Sequence, residues 1–243
     1  MLDILSANRK NALLRSLSGD DFALLQQHLE RIELPLRFPL EDRNRRTAHV
    51  YFPEAGLVSV VASGAKNREI EVGIIGSEGM SGIHVLLGSD RSSFSAYMQV
   101  AGNGYRIATV DLQAAMRASP AMQQCFLLFA QTFIIQTAHT AIANGQGTLE
   151  QRLARWLLMA DDRIRGNELP LTHEFLAMML AVRRAGVTTT LRSLEHRKLV
   201  LVKRRAITVL NRDGLKRLAK GLYGIPEAEY RRLIGRTVSG QTG

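Results

Sequence analysis

Between Arg117 and Glu150 the chain contains no Asp, Glu, Lys or Arg. A stretch so poor in charge must be buried on more than one side. From Met122 its apolar residues fall at alternating steps of four and three, Met122, Phe126, Phe129 and Phe133, and the pattern continues through Gln136, Thr140 and Ala143. That is the period of a helix that packs along a seam. A second face carries Leu127, Leu128, Ile134, Ile135, Ala138 and Ile142. A helix apolar on two faces needs two bodies to cover it: a β domain of its own chain and a partner helix are expected, and a helix buried wholly inside one chain is the alternative. The spacing assigns Met122, Phe126, Phe129 and Phe133 to the seam of a homodimer. The stretch is long enough to span a bilayer, but Gln123, Gln124, Gln131, Gln136, His139 and the interspersed threonines argue against a membrane partner.

What precedes this helix has a different rhythm. Residues 7–32 read as short amphipathic helices, with Ser18 placed to cap a turn that opens on Asp20 and Asp21. From about Glu33 to Val110 short apolar runs alternate with turn residues, as in Val50-Tyr-Phe, Gly56-Leu-Val-Ser-Val-Val, Ile70-Glu-Val-Gly-Ile-Ile, Tyr97-Met-Gln-Val and Tyr105-Arg-Ile. A compact antiparallel β domain follows from that pattern. Gly73, Gly76, Gly79 and Gly82 recur every third residue, which suits a turn-rich corner better than a straight strand. No Walker pattern and no helix-opening Gly-x-Gly-x-x-Gly accompanies them.

The charge is divided unevenly. Residues 1–145 hold 13 Lys+Arg and 13 Asp+Glu, whereas residues 146–243 hold 19 against 9, the whole of the net charge of +10. A neutral half joined to a basic half suggests one part that senses and one that meets a polyanion. Inside the basic half, Thr172 stands at an N-cap position with Glu174 in the first turn. The helix it opens buries Leu176 and Leu180, turns at Ala181-Val182-Arg183, and is followed by a second helix with Val187, Leu191 and Leu194 inside. Two short helices joined by a tight turn form a helix-turn-helix. Thr172 at the start of the first helix, and Arg183 and Arg184 at the start of the second, with Thr188, Thr189 and Arg192 on its outer face, are the candidates for duplex DNA contacts, and Arg184 is placed to bond guanine O6 and N7 together. Leu199-Val-Leu-Val, Lys203-Arg204-Arg205 and Ala206-Ile-Thr-Val-Leu read as a hairpin with three cations at its tip, suited to phosphate.

In this order the elements resemble the Crp/Fnr family of transcription regulators, from about residue 10 to residue 220. Leu169 to Leu210 carries the likeness most strongly, supported by Glu150-Gln-Arg-Leu-Ala-Arg-Trp-Leu-Leu. The resemblance implies an α+β chain: cap helices and a cyclic-nucleotide-binding-like antiparallel β-roll over residues 1–118, a dimerisation helix over 119–145, and a winged helix-turn-helix over 146–243. It also implies a homodimer on a partly palindromic operator, with RNA polymerase as a further candidate partner. Relative to members that respond to cyclic AMP, Ala185 stands for a glutamate and Thr189 for a second arginine, so a different operator is expected. Ala181 stands where a turn glycine is common, and left-handed backbone there costs about 1 kcal/mol.

The effector side of the resemblance is weaker. Aligning Ser95-Ala96 with the end of the cyclic-nucleotide cassette puts Phe94 in the place of the phosphate-binding arginine and Gly82-Ile83 where Gly-Glu is expected. Glu78, Arg91 and Ser92 are the candidate shifted substitutes, and without a charge partner a cyclic phosphate is poorly compensated. A small-molecule or cyclic-nucleotide module acting through protein contacts is the alternative function. No set of paired carboxylates, Ser/His/Asp residues or metal-spaced ligands stands out, so no enzyme, metal or cofactor is expected. His84 and His139 are read as structural. The single Cys125 excludes an internal disulfide and is read as a small core residue, in a reducing, cytoplasmic setting.

Overall fold

The computed structural model describes residues 9–64, 69–164, 166 and 168–235. Two short helices, α1 (Ala12–Arg15) and α2 (Gly19–Gln26), begin at side-chain caps: Asn11 accepts from the Leu14 amide and Ser18 from the Asp21 amide. Residues 7 and 8 of the expected helical region lie outside the described residues, and its end is shorter than the apolar spacing suggests. Glu30–Leu34 is already a strand, β1, because Glu30 to Leu34 pair in register with Arg106 to Gly102 of β7 (Gly102–Ala108).

Seven strands form the roll. One sheet has the order β1-β7-β3, where β3 is His49–Pro53. The other has the order β2-β6-β4-β5, from Pro39–Glu41, Ser95–Val100, Leu57–Ser63 and Glu69–Ile75. All these pairings are antiparallel. A four-residue helix, α3 (Ile83–Leu86), starts at Gly82, whose φ of 78° is the left-handed conformation that glycine adopts without a Cβ penalty.

After α4 (Thr109–Ala118), Ser119 caps the long helix α5 (Pro120–Gln146) by accepting from the Met122 amide, and Pro120 occupies the first turn, where no amide is required. The helix lies across the free edge of β5. Gln136 accepts from the Ile74 amide at 2.7 Å and donates to the Ile74 carbonyl at 3.2 Å, so one side-chain amide serves both outward backbone groups of an edge residue. Unpaired, those groups would be costly at a buried edge. Phe129 and Phe133 fill notches left by glycine. A Cβ added to Gly79 would stand 2.3 Å from the Phe129 ring, and one added to Gly73 would stand 2.8 Å from the Phe133 ring.

This arrangement corrects the expected dimer seam. Met122, Phe126, Phe129 and Phe133 are all buried within their own chain, with Phe126 against Phe52 at a ring separation of 6.1 Å. At roughly 1.5–3 kcal/mol for each large apolar side chain buried, they hold the helix to the roll. The other apolar face is the uncovered one, with Ile134 49% and Ile142 41% exposed.

Thr148 and Gln151 form a capping box that opens α6 (Leu149–Asp161). This helix joins the halves. Leu57, Val61 and Ile74 of the roll share one apolar core with Trp156, Leu176, Leu191 and Ile207. Buried Arg155 donates to the Leu222 carbonyl at 3.0 Å and to Thr140 Oγ1 at 3.1 Å; burial pulls its guanidinium down to about 10. Buried Glu71 accepts from Trp156 Nε1 and from Ser59 Oγ. The Ser59 hydroxyl has one proton and also faces Gln99 Oε1 and, at 3.2 Å, Met179 Sδ. Desolvation pushes Glu71 up to about 7 against the opposing pull of Ser59, Trp156, Arg155 and Arg163.

Two outcomes follow from this packing. Gly79→Ala forces a methyl into the buried Phe129 ring and should destabilise the chain by about 1–3 kcal/mol in chemical denaturation, whereas Gly19→Ala, with nothing within 4 Å, should not. Glu71 titrates in the opposite sense to a salt-bridged carboxylate. Its raised value gives the fold a stabilisation that is complete below the ordinary carboxylate range and is lost as pH rises through about 7. Glu71→Gln, which mimics the protonated group, should therefore show a smaller fall in Tm between about pH 5 and about pH 8 than the native chain; equal falls would assign the proton elsewhere.

Candidate nucleic-acid interface

The basic half opens its reading unit as the apolar spacing requires. α7 (His173–Met179) is capped by Thr172, which accepts from the Phe175 amide at 3.2 Å. α8 (Arg184–His196) buries Val187, Leu191 and Leu194. Between them the chain reverses at Ala181, whose φ of 50° is left-handed although the residue is not glycine. The Val182 amide donates to the Ala177 carbonyl at 2.9 Å, and Arg152 reaches the Leu180 carbonyl, so the turn is held by hydrogen bonds from both sides.

On the open side of α8, Arg183, Arg184, Thr189 and Arg192 are exposed and Thr188 is partly buried. Thr188 is taken up internally: its Oγ1 lies 2.9 Å from His173 Nδ1 and pins the second helix to the start of the first. His173 was not singled out from the sequence. Burial lowers its pKa, and the charges of Arg184 and Arg192 lower it further. Arg183 supplies the N-cap backbone without a side-chain bond, so no side chain caps the positive end of the α8 dipole.

The wing is a three-stranded sheet of order β8-β10-β9: Glu168–Leu169, Ala206–Val209 and Val200–Lys203. Lys203 pairs with Ala206, so the tip is the two-residue turn Arg204-Arg205, with Arg205 at φ 63°. Lys203 is not part of that tip. It ends β9 and is ion-paired with Glu168, two strands away, which leaves Arg204 and Arg205 as the two cations of the tip.

The candidate effector residues do not converge. Glu78 turns toward the basic half, where Arg163 donates to it at 2.6 Å. Burial lowers the Arg163 pKa, but Glu78, Glu227 and Asp162 more than offset this and raise it. Arg91 is 65% exposed beside Asp90. Ser92 is buried and accepts from the Phe94 amide at 3.0 Å, Phe94 is 38% exposed, and Ser95 begins β6. Next to Gly82 stands a residue that the sequence pattern did not mark. Buried Glu41 accepts from the Gly82 amide at 2.6 Å, and its other oxygen lies 3.4 Å from His84 Nδ1. His84 Nε2 lies 2.9 Å from Thr47 Oγ1. Cys125 is buried, 3.2 Å from Ser16 Oγ, and burial pushes its thiol up rather than activating it. Among the described residues no group of three His, Cys, Asp or Glu is arranged to hold a metal ion.

Residues 151–218 match the family described as the Crp-like helix-turn-helix domain. No curated protein matches the sequence. Solved structures of similar fold include a transcriptional regulator of the crp/fnr family from Eubacterium rectale, at 19% identity over 86% of this chain and 98% of that one, with a TM-score of 0.66. FixK2 from Bradyrhizobium japonicum is 15% identical over 78% and 96%, with a TM-score of 0.69. The c-di-GMP responsive regulator CLP of Xanthomonas campestris is 17% identical over 79% and 99%, with a TM-score of 0.65. At these identities the likeness is one of fold. With its β-roll, long helix and three-stranded wing, the chain carries a Crp-like helix-turn-helix domain on the fold of the Crp/Fnr transcription regulators.

Proposed function

We propose that the chain is a homodimeric, cytoplasmic DNA-binding regulator rather than an enzyme, that it reads a partly palindromic operator with one α8 in each major groove, and that its effector is not cyclic AMP. The observation that carries this reading is the open face of α8, where Arg184, Thr189 and Arg192 stand free beside an uncapped helix start. A phosphate-facing wing complements it through Arg204 and Arg205. Residues 1–118, 119–145 and 146–243 then serve as sensor, dimerisation helix and reader.

The dimer is drawn through the face of α5 that the roll leaves open. Leu127, Gln131, Ile134, Ala138 and Ile142 repeat at steps of four and three along it, and Ile134, Ala138 and Ile142 are exposed. Two such helices packed in parallel register would cover each other's stripe and set the two readers about one DNA turn apart. Cyclic AMP is disfavoured by Glu41. A carboxylate on the Gly82 amide occupies the donor that a nucleotide would need and opposes its phosphate, and Phe94 offers no compensating charge.

Two experiments test this. Arg184→Ala should cost about 1–3 kcal/mol at a guanine in each half-site and relax preference there, whereas Arg205→Ala should weaken all sequences alike and flatten the salt slope. Fluorescence anisotropy with operator and random duplexes across a salt series separates the two; an equal loss on both duplexes for Arg184→Ala makes it a phosphate contact only. Ile134→Asp should halve the mass in light scattering while the far-ultraviolet circular dichroism stays native, because the charge lies on the face that the roll leaves open; an unchanged dimer mass sinks the seam.

A further inference from the structure

Glu71 is buried in the joint between the two halves, and the groups that touch it belong to both. β5 of the roll carries it. The Trp156 indole on α6 meets one carboxyl oxygen, and the other meets Ser59 of β4, which also lies 3.2 Å from Met179 Sδ on α7. The charged and titratable groups that face it are Arg152 and Arg155 on α6, Arg163 just beyond that helix, and Tyr97 on β6, with Glu69 two positions earlier on its own strand. β4, α7 and α5 bring only the uncharged Ser59, Met179, Thr140 and Asn144. The guanidiniums are spent on other acceptors: Arg155 on the Leu222 carbonyl and Thr140, Arg163 on Glu78 and the Met159 carbonyl, Arg152 on the Leu180 carbonyl. Glu71 is therefore a buried acid held by neutral donors. Its hydrogen bonds can be arranged in two ways. With a proton, Glu71 donates to Ser59, whose own proton goes to Gln99 Oε1. Without one, Ser59 donates to Glu71, and the Gln99 amide, turned end for end, gives Ser59 a hydrogen from Nε2, a nitrogen that is otherwise buried without a partner. The second arrangement leaves a net charge in a closed, largely apolar joint, and that charge is costly where no ion pair offsets it.

We propose that Glu71 is a proton-operated lock between the roll and the reader: the uncharged carboxyl keeps the joint closed, and its ionisation loosens the joint and weakens the hold of the two readers on duplex DNA. The direction follows from burial. The closed joint holds the proton more tightly than water does, so it is favoured at low pH and loses that advantage as pH rises through about 7. The link to DNA is one of population. Two readers that must meet one duplex at a fixed spacing bind best when each is docked on its roll, and the apparent affinity falls with the fraction so docked. The link to DNA rests on the regulator reading; the lock in the joint stands without it.

The test uses the full chain and its single tryptophan. Trp156 is 3% exposed and lies in the joint, so the quenching of its emission by acrylamide reports opening there. In the native chain quenching should rise as pH passes through about 7. In Glu71→Gln and Glu71→Met, both uncharged at every pH, it should stay flat. Fluorescence anisotropy with duplex DNA at constant salt is the second readout. From about pH 6 to about pH 8 the native chain should lose roughly fivefold or more in affinity relative to either variant. The ratio removes the titration of His173 and His196, which all three chains share. Flat quenching in the native chain, or an equal rise in the variants, overturns the lock. An equal pH dependence of duplex binding in all three chains overturns its control of DNA binding. A native chain whose Trp156 responds as described but that binds no duplex at any pH refutes the regulator reading and leaves the lock in the joint standing.

Discussion

The structure depends on how the edge of β5 is closed. A free strand edge next to a long apolar helix would expose backbone groups to a surface that cannot bond them. Here Gln136 bonds both groups of Ile74, and two glycines thin the sheet edge so that Phe129 and Phe133 can seat against it. The position of the whole helix follows from that contact. With one face committed to the roll, Ile134 and Ile142 are left exposed on another, and Arg155, bonded to Thr140 on the same helix, carries the placement on into the basic half.

Much of this was legible in the residues. The apolar spacing of Leu176, Leu180, Val187, Leu191 and Leu194, the Thr172 cap and the strain at Ala181 describe the helix-turn-helix almost as it stands, because local period and capping chemistry decide short helices. The strands of the roll follow their apolar runs for the same reason. Periodicity shows that a helix has two apolar faces, but which face meets which body depends on the shape of the other surface. Gly73 and Gly79 carried that information. Their spacing marked a corner, yet the partner of each notch lies some fifty to sixty residues away on α5.

The residues that sequence reasoning missed have a common character: each is a polar group satisfied by a distant part of the chain. Glu41 sits on Gly82, His173 on Thr188, Glu71 on Trp156, and Glu168 on Lys203. None belongs to a motif, since pairing across the fold leaves no local pattern. The same fact explains why the candidate effector residues dispersed. They were gathered by their likeness to a cassette, while the charges that govern the region, Glu41 above all, lie outside it.

The core shared between the halves has a further meaning for how such a chain can change. In a modular regulator the reading end can be exchanged for another with only a linker to redesign. Here Leu57, Val61 and Ile74 on the roll interlock with Trp156 and Leu176 on the other side, and Ile234, near the far end of the described chain, belongs to the core shared by the first two helices, the roll and the long helix. A transplanted reader would meet a surface cut for a different one. On the function proposed above, a new DNA specificity is therefore more readily reached by altering the outer face of a single helix than by recombination of parts.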